Sequence, residues 1–182
     1  MKRMLSLMQM ACVMGGLICS TAMQGVYAQS ATDFGRGAKL HYTTDQNWAD
    51  IFDGKTTMNF CFLTKYEPDT VGSLMENALI FKVDHPVEVK GYRLFPEEYV
   101  YCTPKSWVFM ASDDDGETWD LLDERVDDET LPLDPYSFHT FTLSNPTSKK
   151  YNMFLMACSE THDDYYWKLN EFELDYARCD AF

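Results

Sequence analysis

From residue 30 onward the chain shows no apolar stripe at helical spacing. It shows short runs in which apolar and polar positions alternate, or in which β-branched and aromatic residues cluster, each bounded by turn-forming residues. The runs are Phe60–Leu63, Ala78–Val83, Val87–Lys90 with Tyr92–Phe95 (kinked at Gly91), Trp107–Ala111, Trp119–Leu122, Phe138–Leu143, Tyr151–Ala157 and Leu169–Leu174. Within Trp107–Ala111, Trp107, Phe109 and Ala111 share one face and Val108 and Met110 the other, so this strand is expected to be buried on both sides. In the last run Leu169 and Phe172 both read as inward-facing despite their odd spacing. Pro86, Asp114-Asp115-Gly116 and Asn145-Pro146 mark reversals. About nine short strands in about 150 residues, with no helical pattern, predict an all-β domain of sandwich or jelly-roll type.

The first residues follow a different rule. Lys2 and Arg3 precede an uncharged apolar stretch, Met4 to Thr21, and Val26-Tyr27-Ala28 supplies a cleavage site. This predicts a signal peptide over 1–28. A retained membrane anchor and a lipoprotein signal ending at Cys19 are the alternatives; the apolar stretch is short for the first, and Ile18 suits the second poorly. A polar leader (29–46), one β domain (47–176) and a short tail (177–182) follow. The expected location is outside the cytoplasm: secreted, periplasmic or at the cell surface, with no integral membrane segment in the mature chain.

Composition changes this picture in two ways. The formal net charge of −14 becomes −16 once the signal, with two bases and no acid, is removed. Such acidity argues against nucleic acid and anionic membranes as partners. The mature chain keeps Cys61, Cys102, Cys158 and Cys179, an even number that in an exported protein suggests up to two disulfides in any of three pairings. Their spacing matches no zinc motif.

Catalytic patterns are missing from the sequence. There is no phosphate-cradling glycine loop and no GxSxG elbow, and His41, His85, His139 and His162 are scattered. Cys158 and His162 lie four residues apart, a spacing better explained by a disulfide or by surface placement than by a nucleophile and its base. Asp113-Asp114-Asp115-Gly116-Glu117 lacks the alternating ligands of a calcium loop and reads as a hairpin turn whose Asp-Gly pair takes positive φ.

Two stretches go beyond generic β patterning: Asn47-Trp48-Ala49-Asp50-Ile51-Phe52-Asp53-Gly54-Lys55-Thr56-Thr57-Met58-Asn59-Phe60-Cys61, and Pro104-Lys105-Ser106-Trp107 running through Ser112-Asp113-Asp114-Asp115-Gly116-Glu117-Thr118-Trp119 to Asp123. With Tyr151–Leu155 and Leu169-Asn170-Glu171-Phe172-Glu173-Leu174 in the same order, residues 47–175 resemble the discoidin family (coagulation-factor C-type domains), whose bacterial members include family 32 carbohydrate-binding modules. The resemblance implies a galactose-binding-like jelly-roll β-sandwich that binds without catalysis. Strand parity and the gain from burying large aromatics make Trp48, Trp107 and Trp119 core rather than ligand platforms, with Trp167 reading inward by its parity with Leu169. The resemblance also implies a structural calcium ion at Asp53 and Glu171, with the carbonyl of Met58 where the family often has a threonine; a cation-free loop pinned by Asp53 is the alternative.

Ligand contacts in that family come from loops at one end of the sandwich. Here the corresponding groups are Glu98, Tyr99, Tyr101, His162, Asp163, Tyr165 and Tyr166, aromatic faces for sugar rings with polar side chains for their hydroxyls. Cys102-Thr103 replaces the Arg-Asp often found before Pro-Lys-Ser-Trp, so ligand specificity is not carried over. Cys102 and Cys158 open these two loops, and a Cys102–Cys158 bridge across the binding end is the first expectation among the pairings. The expected function is recognition of a glycan or glycoprotein by a secreted, non-enzymatic module. Protein interaction or adhesion through the same loops is the alternative.

Overall fold

The computed structural model describes residues 40–42, 51–52, 56, 61–70, 72–163 and 165–176. They form nine strands: β1 (Leu40–Tyr42), β2 (Cys61–Thr64), β3 (Ala78–Val87), β4 (Val89–Pro96), β5 (Pro104–Ser112), β6 (Asp120–Arg125), β7 (His139–Thr142), β8 (Tyr151–Thr161) and β9 (Tyr166–Tyr176). Two single-turn helices, α1 (Ser73–Glu76) and α2 (Thr130–Leu133), and a 3-10 turn at Val100–Cys102 lie between strands. The helices are too short to leave a periodic signal in the sequence. β1 falls inside the stretch expected to be a leader. Among the described residues no helix is long and apolar enough to cross a membrane.

Two antiparallel sheets pack face to face, in the orders β1-β3-β8-β5-β6 and β2-β9-β4-β7. The expected all-β sandwich is what the chain forms. Its inter-sheet core contains Phe52, Phe81, Tyr92, Trp107, Phe109, Phe154, Trp167, Leu169 and Phe172, and its rings meet in tilted and stacked pairs such as Phe81–Phe154 at 5.3 Å. Burying each large aromatic contributes about 2–3 kcal/mol.

β5 is two-sided as its pattern requires. Trp107, Phe109 and Ala111 face the inter-sheet core, while Val108 and Met110 face a second cluster with Tyr66, Ala78, Leu155 and Ala157, against which Leu74, Met75 and Ile80 pack. The connection 65–77 thus lies over the outer face of the five-stranded sheet. Trp119 packs half-buried on that outer cluster rather than in the core between the sheets, because it leaves the β5–β6 turn on the outer face. Trp48 lies outside the described residues.

The odd spacing in β9 has a local cause. Phe95 pairs with Glu171 and Pro96 with Leu169, so Asn170 is an extra residue in the ladder. The bulge lets Trp167 and Leu169 on one side of it, and Phe172, Leu174 and Tyr176 on the other, all face inward.

One buried network bridges the sheets. Tyr92 Oη of β4 donates to Asp123 Oδ2 of β6 at 2.7 Å and accepts from Trp107 Nε1 of β5 at 2.7 Å. Asp123, fully buried, also accepts from Arg125 Nε at 2.9 Å and from the Ser144 amide at 3.0 Å. Burial first, then the Asp123 carboxylate, pushes the Tyr92 phenol well above its ordinary value.

Candidate functional site: the loop end of the sandwich

Four connections cross between the sheets at one end: β2 to β3, β8 to β9, β4 to β5 and β6 to β7. In each case the two joined strands occupy matching places in the two sheet orders, counting β3-β8-β5-β6 against β2-β9-β4-β7. The connections therefore emerge in a row: 65–77, 162–165, 97–103, 126–138. The Asp-Gly hairpin 113–119 lies at the opposite end. Its Asp115 and Gly116 have φ of 60° and 90°, as the turn reading requires, and Ser112 and Thr118 tie it to Asp114.

The middle connection is locally fixed. Pro96 has no amide to continue the ladder, and Glu97 turns back so that its carboxylate accepts the Tyr99 amide at 3.0 Å. The 3-10 turn closes by Cys102 N–H to Tyr99 O and Thr103 N–H to Val100 O, with Thr103 Oγ1 donating to Val100 O at 2.6 Å. Glu97 is buried, and burial raises its carboxyl above the usual range against the opposing pull of the Tyr99 amide and Lys168. Tyr99 and Tyr101 project outward, each about half exposed (52% and 51%), with ring centroids 6.5 Å apart and planes inclined by 25°. Lys168 Nζ of β9 lies 6.0 Å from the Tyr99 ring centroid.

The neighbouring connections are fastened to this one. Asp163 N–H donates to Tyr101 O at 3.0 Å. His162 Nδ1 lies 3.4 Å from Glu129 Oε2 of the β6–β7 connection, and its Nε2 is buried without a partner. At the start of β5, Ser106 Oγ donates to Glu160 and accepts the Asp127 amide. Asp128 N–H donates to Lys105 O, and Lys105 Nζ meets Asp127 at 3.1 Å and Glu129 at 3.7 Å. Further along, Asp134 accepts from the Tyr136 amide and Ser137 Oγ.

Of the residues expected from sequence, Tyr99 and Tyr101 come together, Tyr165 and Tyr166 meet edge-to-face at 5.1 Å, and Asp163 joins the two loops through its backbone. Glu98 is exposed beside Tyr99, whereas the His162 ring is mostly enclosed. Glu171 is buried at the β9 bulge; Asp53 and Met58 lie outside the described residues. Among the described residues no group of three or more His, Cys, Asp or Glu side chains is arranged to hold a metal.

The Cys102–Cys158 bridge does not form. Cys158 shares parity with Phe154 and Met156 and points into the inter-sheet core, and its thiol donates to Glu160 O at 2.9 Å. Cys102 sits in the 3-10 turn outside that core. Burial pushes the Cys158 thiol up to about 12.

Sequence reading missed the β6–β7 connection. Every exposed large hydrophobic side chain among the described residues lies in one of three adjacent segments of this end: Tyr99 and Tyr101; Tyr165 and Tyr166; and Val126, Leu133 and Tyr136 of the missed segment. The signal available was Pro132 and Pro135 bracketing Leu133-Asp134, a proline-bounded apolar residue that no strand period explains.

No protein-family model matches the chain, and no curated protein matches it in sequence. Its fold is nevertheless that of carbohydrate-binding modules. A CBM32 module from Clostridium perfringens in complex with GalNAc-β-1,3-galactose superposes with a TM-score of 0.57 at 12% identity, covering 80% of this chain and 99% of that one. The family 32 module of C. perfringens NanJ in complex with galactose gives a TM-score of 0.56 at 9% identity over 81% and 98%. The family 32 module of Streptococcus pneumoniae EndoD gives 0.54 at 12% over 79% and 98%. At such identity what is shared is the fold: a galactose-binding-like β-sandwich, as the resemblance implied.

Proposed function

We propose that this chain is a non-catalytic carbohydrate-binding protein that takes its ligand at the loop end of the sandwich, and that it acts outside the cytoplasm on a glycan or glycoprotein. The observation that carries this is the segregation of exposed tyrosines to adjacent, hydrogen-bonded loops that also present carboxylates, Glu98 and Asp163 among them. Tyrosine rings present C–H-binding faces to sugars, and carboxylates accept hydrogen bonds from hydroxyls. The rings stand on loops already fixed by Glu97, Thr103 and Asp163, so little ordering entropy remains for the ligand to offset. Structures of the same fold hold GalNAc-β-1,3-galactose and galactose, which supports the ligand class. A structural calcium ion at Asp53 and Glu171, with the carbonyl of Met58, belongs to this reading only as the family resemblance implies it.

The test is a glycan array with the full chain, with and without calcium. Tyr99→Ala and Tyr101→Ala each weaken binding at least tenfold while the melting temperature stays within 2 °C of wild type, since both rings are half exposed. Binding unaffected by either change refutes the placement. A second reading, a protein-docking surface, is favoured by one observation. Val126 and Leu133 are exposed at 67% and 82%, and sugar recognition has no need of aliphatic groups. In that case Leu133→Ser, not Tyr99→Ala, abolishes the interaction.

A further inference from the structure

We infer that the loop end takes an internal stretch of an unbranched glycan about three rings long, rather than one terminal sugar. The inference rests on the glycan reading above and deepens it. The argument comes from the order of connections, not from any single residue. Because β8, β5 and β6 are neighbours in one sheet while β9, β4 and β7 are neighbours in the other, the segments 162–165, 97–103 and 126–138 emerge side by side. Adjacent strands are about 5 Å apart, so successive connections advance along the sandwich edge by about the length of one sugar ring with its glycosidic oxygen.

Each of the three positions carries exposed aromatic surface: Tyr165 with Tyr166, then Tyr99 with Tyr101, then Tyr136. A pocket for one terminal sugar needs one such face, enclosed by its neighbours. Here each of three neighbouring connections brings its own face, and the faces stay open, with Tyr136 72% and Tyr165 63% exposed. The row is also continuous in its bonding. Asp163 fastens the first segment to the second, and His162 reaches Glu129 of the third. α2, within the third segment, packs against the 3-10 turn of the second. The spacing of the platforms is therefore set by the sheet and does not depend on the ligand to assemble it. An unbranched chain lying along the row stacks one ring at each platform, and its hydroxyls face Glu98 and Asp163 between them.

The experiment is calorimetric titration of the full chain with linear β-1,4-galacto-, β-1,4-manno- and N-acetylchito-oligosaccharides of one to six rings. In whichever series binds, affinity is expected to rise by about five- to tenfold with each added ring up to the third and then to level off. Tyr136→Ala is expected to erase the gain between the second and third ring, so that trimer and dimer bind alike. Tyr165→Ala does the same from the other end, and the melting temperature of each variant checks that it is folded. A monosaccharide that binds within twofold of the hexamer overturns the inference and leaves the glycan reading standing, as does a Tyr136→Ala variant that retains the full length dependence. Failure of every series to bind overturns the glycan reading and the inference together.

Discussion

Replacing Tyr92 with phenylalanine removes one oxygen atom from the centre of the molecule and leaves the ring packing intact. The ring stacks against Phe141 and Phe172 at 5.3 and 5.8 Å, and phenylalanine preserves those contacts. What is lost is the donor to Asp123 and the acceptor for Trp107 Nε1, each at 2.7 Å in fully buried surroundings. A hydrogen bond to a charged group contributes about 1.5–3 kcal/mol, and a buried N–H left without a partner costs about 1–3 kcal/mol. Asp123 keeps Arg125 and the Ser144 amide, which holds the total to about 3–4 kcal/mol. For a domain of this size that is a drop of about 12 °C in melting temperature. Thermal melts and urea titrations followed by circular dichroism check this; the urea midpoint should fall with an unchanged slope. Adding Asp123→Asn should cost less in the Tyr92→Phe background than alone, because part of the same bond is already gone. A melting temperature within 3 °C of wild type would refute the claim that this network pins β4 to β5 and β6.

Gly91→Ala places a Cβ 2.5 Å from the carbonyl oxygen of Phe141 on β7, a backbone atom that cannot swing away; the expected loss is about 1–3 kcal/mol, read as a lower urea midpoint. Cys158 is expected to resist iodoacetamide at pH 8 in the folded chain, because burial holds its thiol up to about 12 and the thiolate is the reactive species; peptide mapping should find it alkylated only after denaturation. The linkage has a definite sign: a group whose folded pKa is raised contributes stability that is present below its unfolded value and is lost as pH rises through the folded one. The window for Cys158 therefore runs from about 9 up to about 12, and a urea midpoint that rises over that range would contradict the burial argument.

The two-sided burial of β5 could be read from five residues because side chains alternate through Trp107–Ala111 and both faces are apolar. The hairpin was legible because Asp-Gly at a reversal has few other uses. The tyrosine loops were named from the family resemblance, and the structure leaves Tyr99, Tyr101, Tyr165 and Tyr166 exposed. Other features depended on what the chain meets in three dimensions. Leu131-Pro132-Leu133 splits into one fully buried leucine and one exposed at 82%, and only the packing of α2 against the 3-10 turn decides which is which. The Cys102–Cys158 pairing failed because nearness of two loops says nothing about side-chain direction: the parity of β8 aims Cys158 at the core. Leu169 and Phe172 could be recognised as inward, yet the reason, an extra residue at Asn170, appears only in the register with β4.

The distribution of charge now constrains what can lie on the tyrosine row. The connections 97–103, 126–138 and 162–165 carry seven described carboxylates and no lysine or arginine. Of the bases near the row, Lys105 meets Asp127 and Glu129, Arg125 meets Asp123 and Lys168 lies beside Glu97 and the Tyr99 ring, while Lys65 in the flanking connection 65–77 is outnumbered there by Glu67, Asp69 and Glu76. Within a Debye length of about 8 Å at physiological salt, a ligand on the row meets negative potential from both flanks. A uronic-acid oligomer must work against that field, whereas a glucosamine oligomer carrying ammonium groups gains from it and from the tyrosine faces. Raising sodium chloride from 50 to 500 mM should therefore weaken binding of a glucosamine tetramer, strengthen any residual binding of a galacturonate trimer, and leave an N-acetylchito-oligosaccharide unchanged. The three salt slopes separate the field of the loops from the contacts of the rings, since only the former is screened. A galacturonate oligomer that binds more tightly at low salt would show that the carboxylates face away from the ligand, and the row would then have to be sought on another surface.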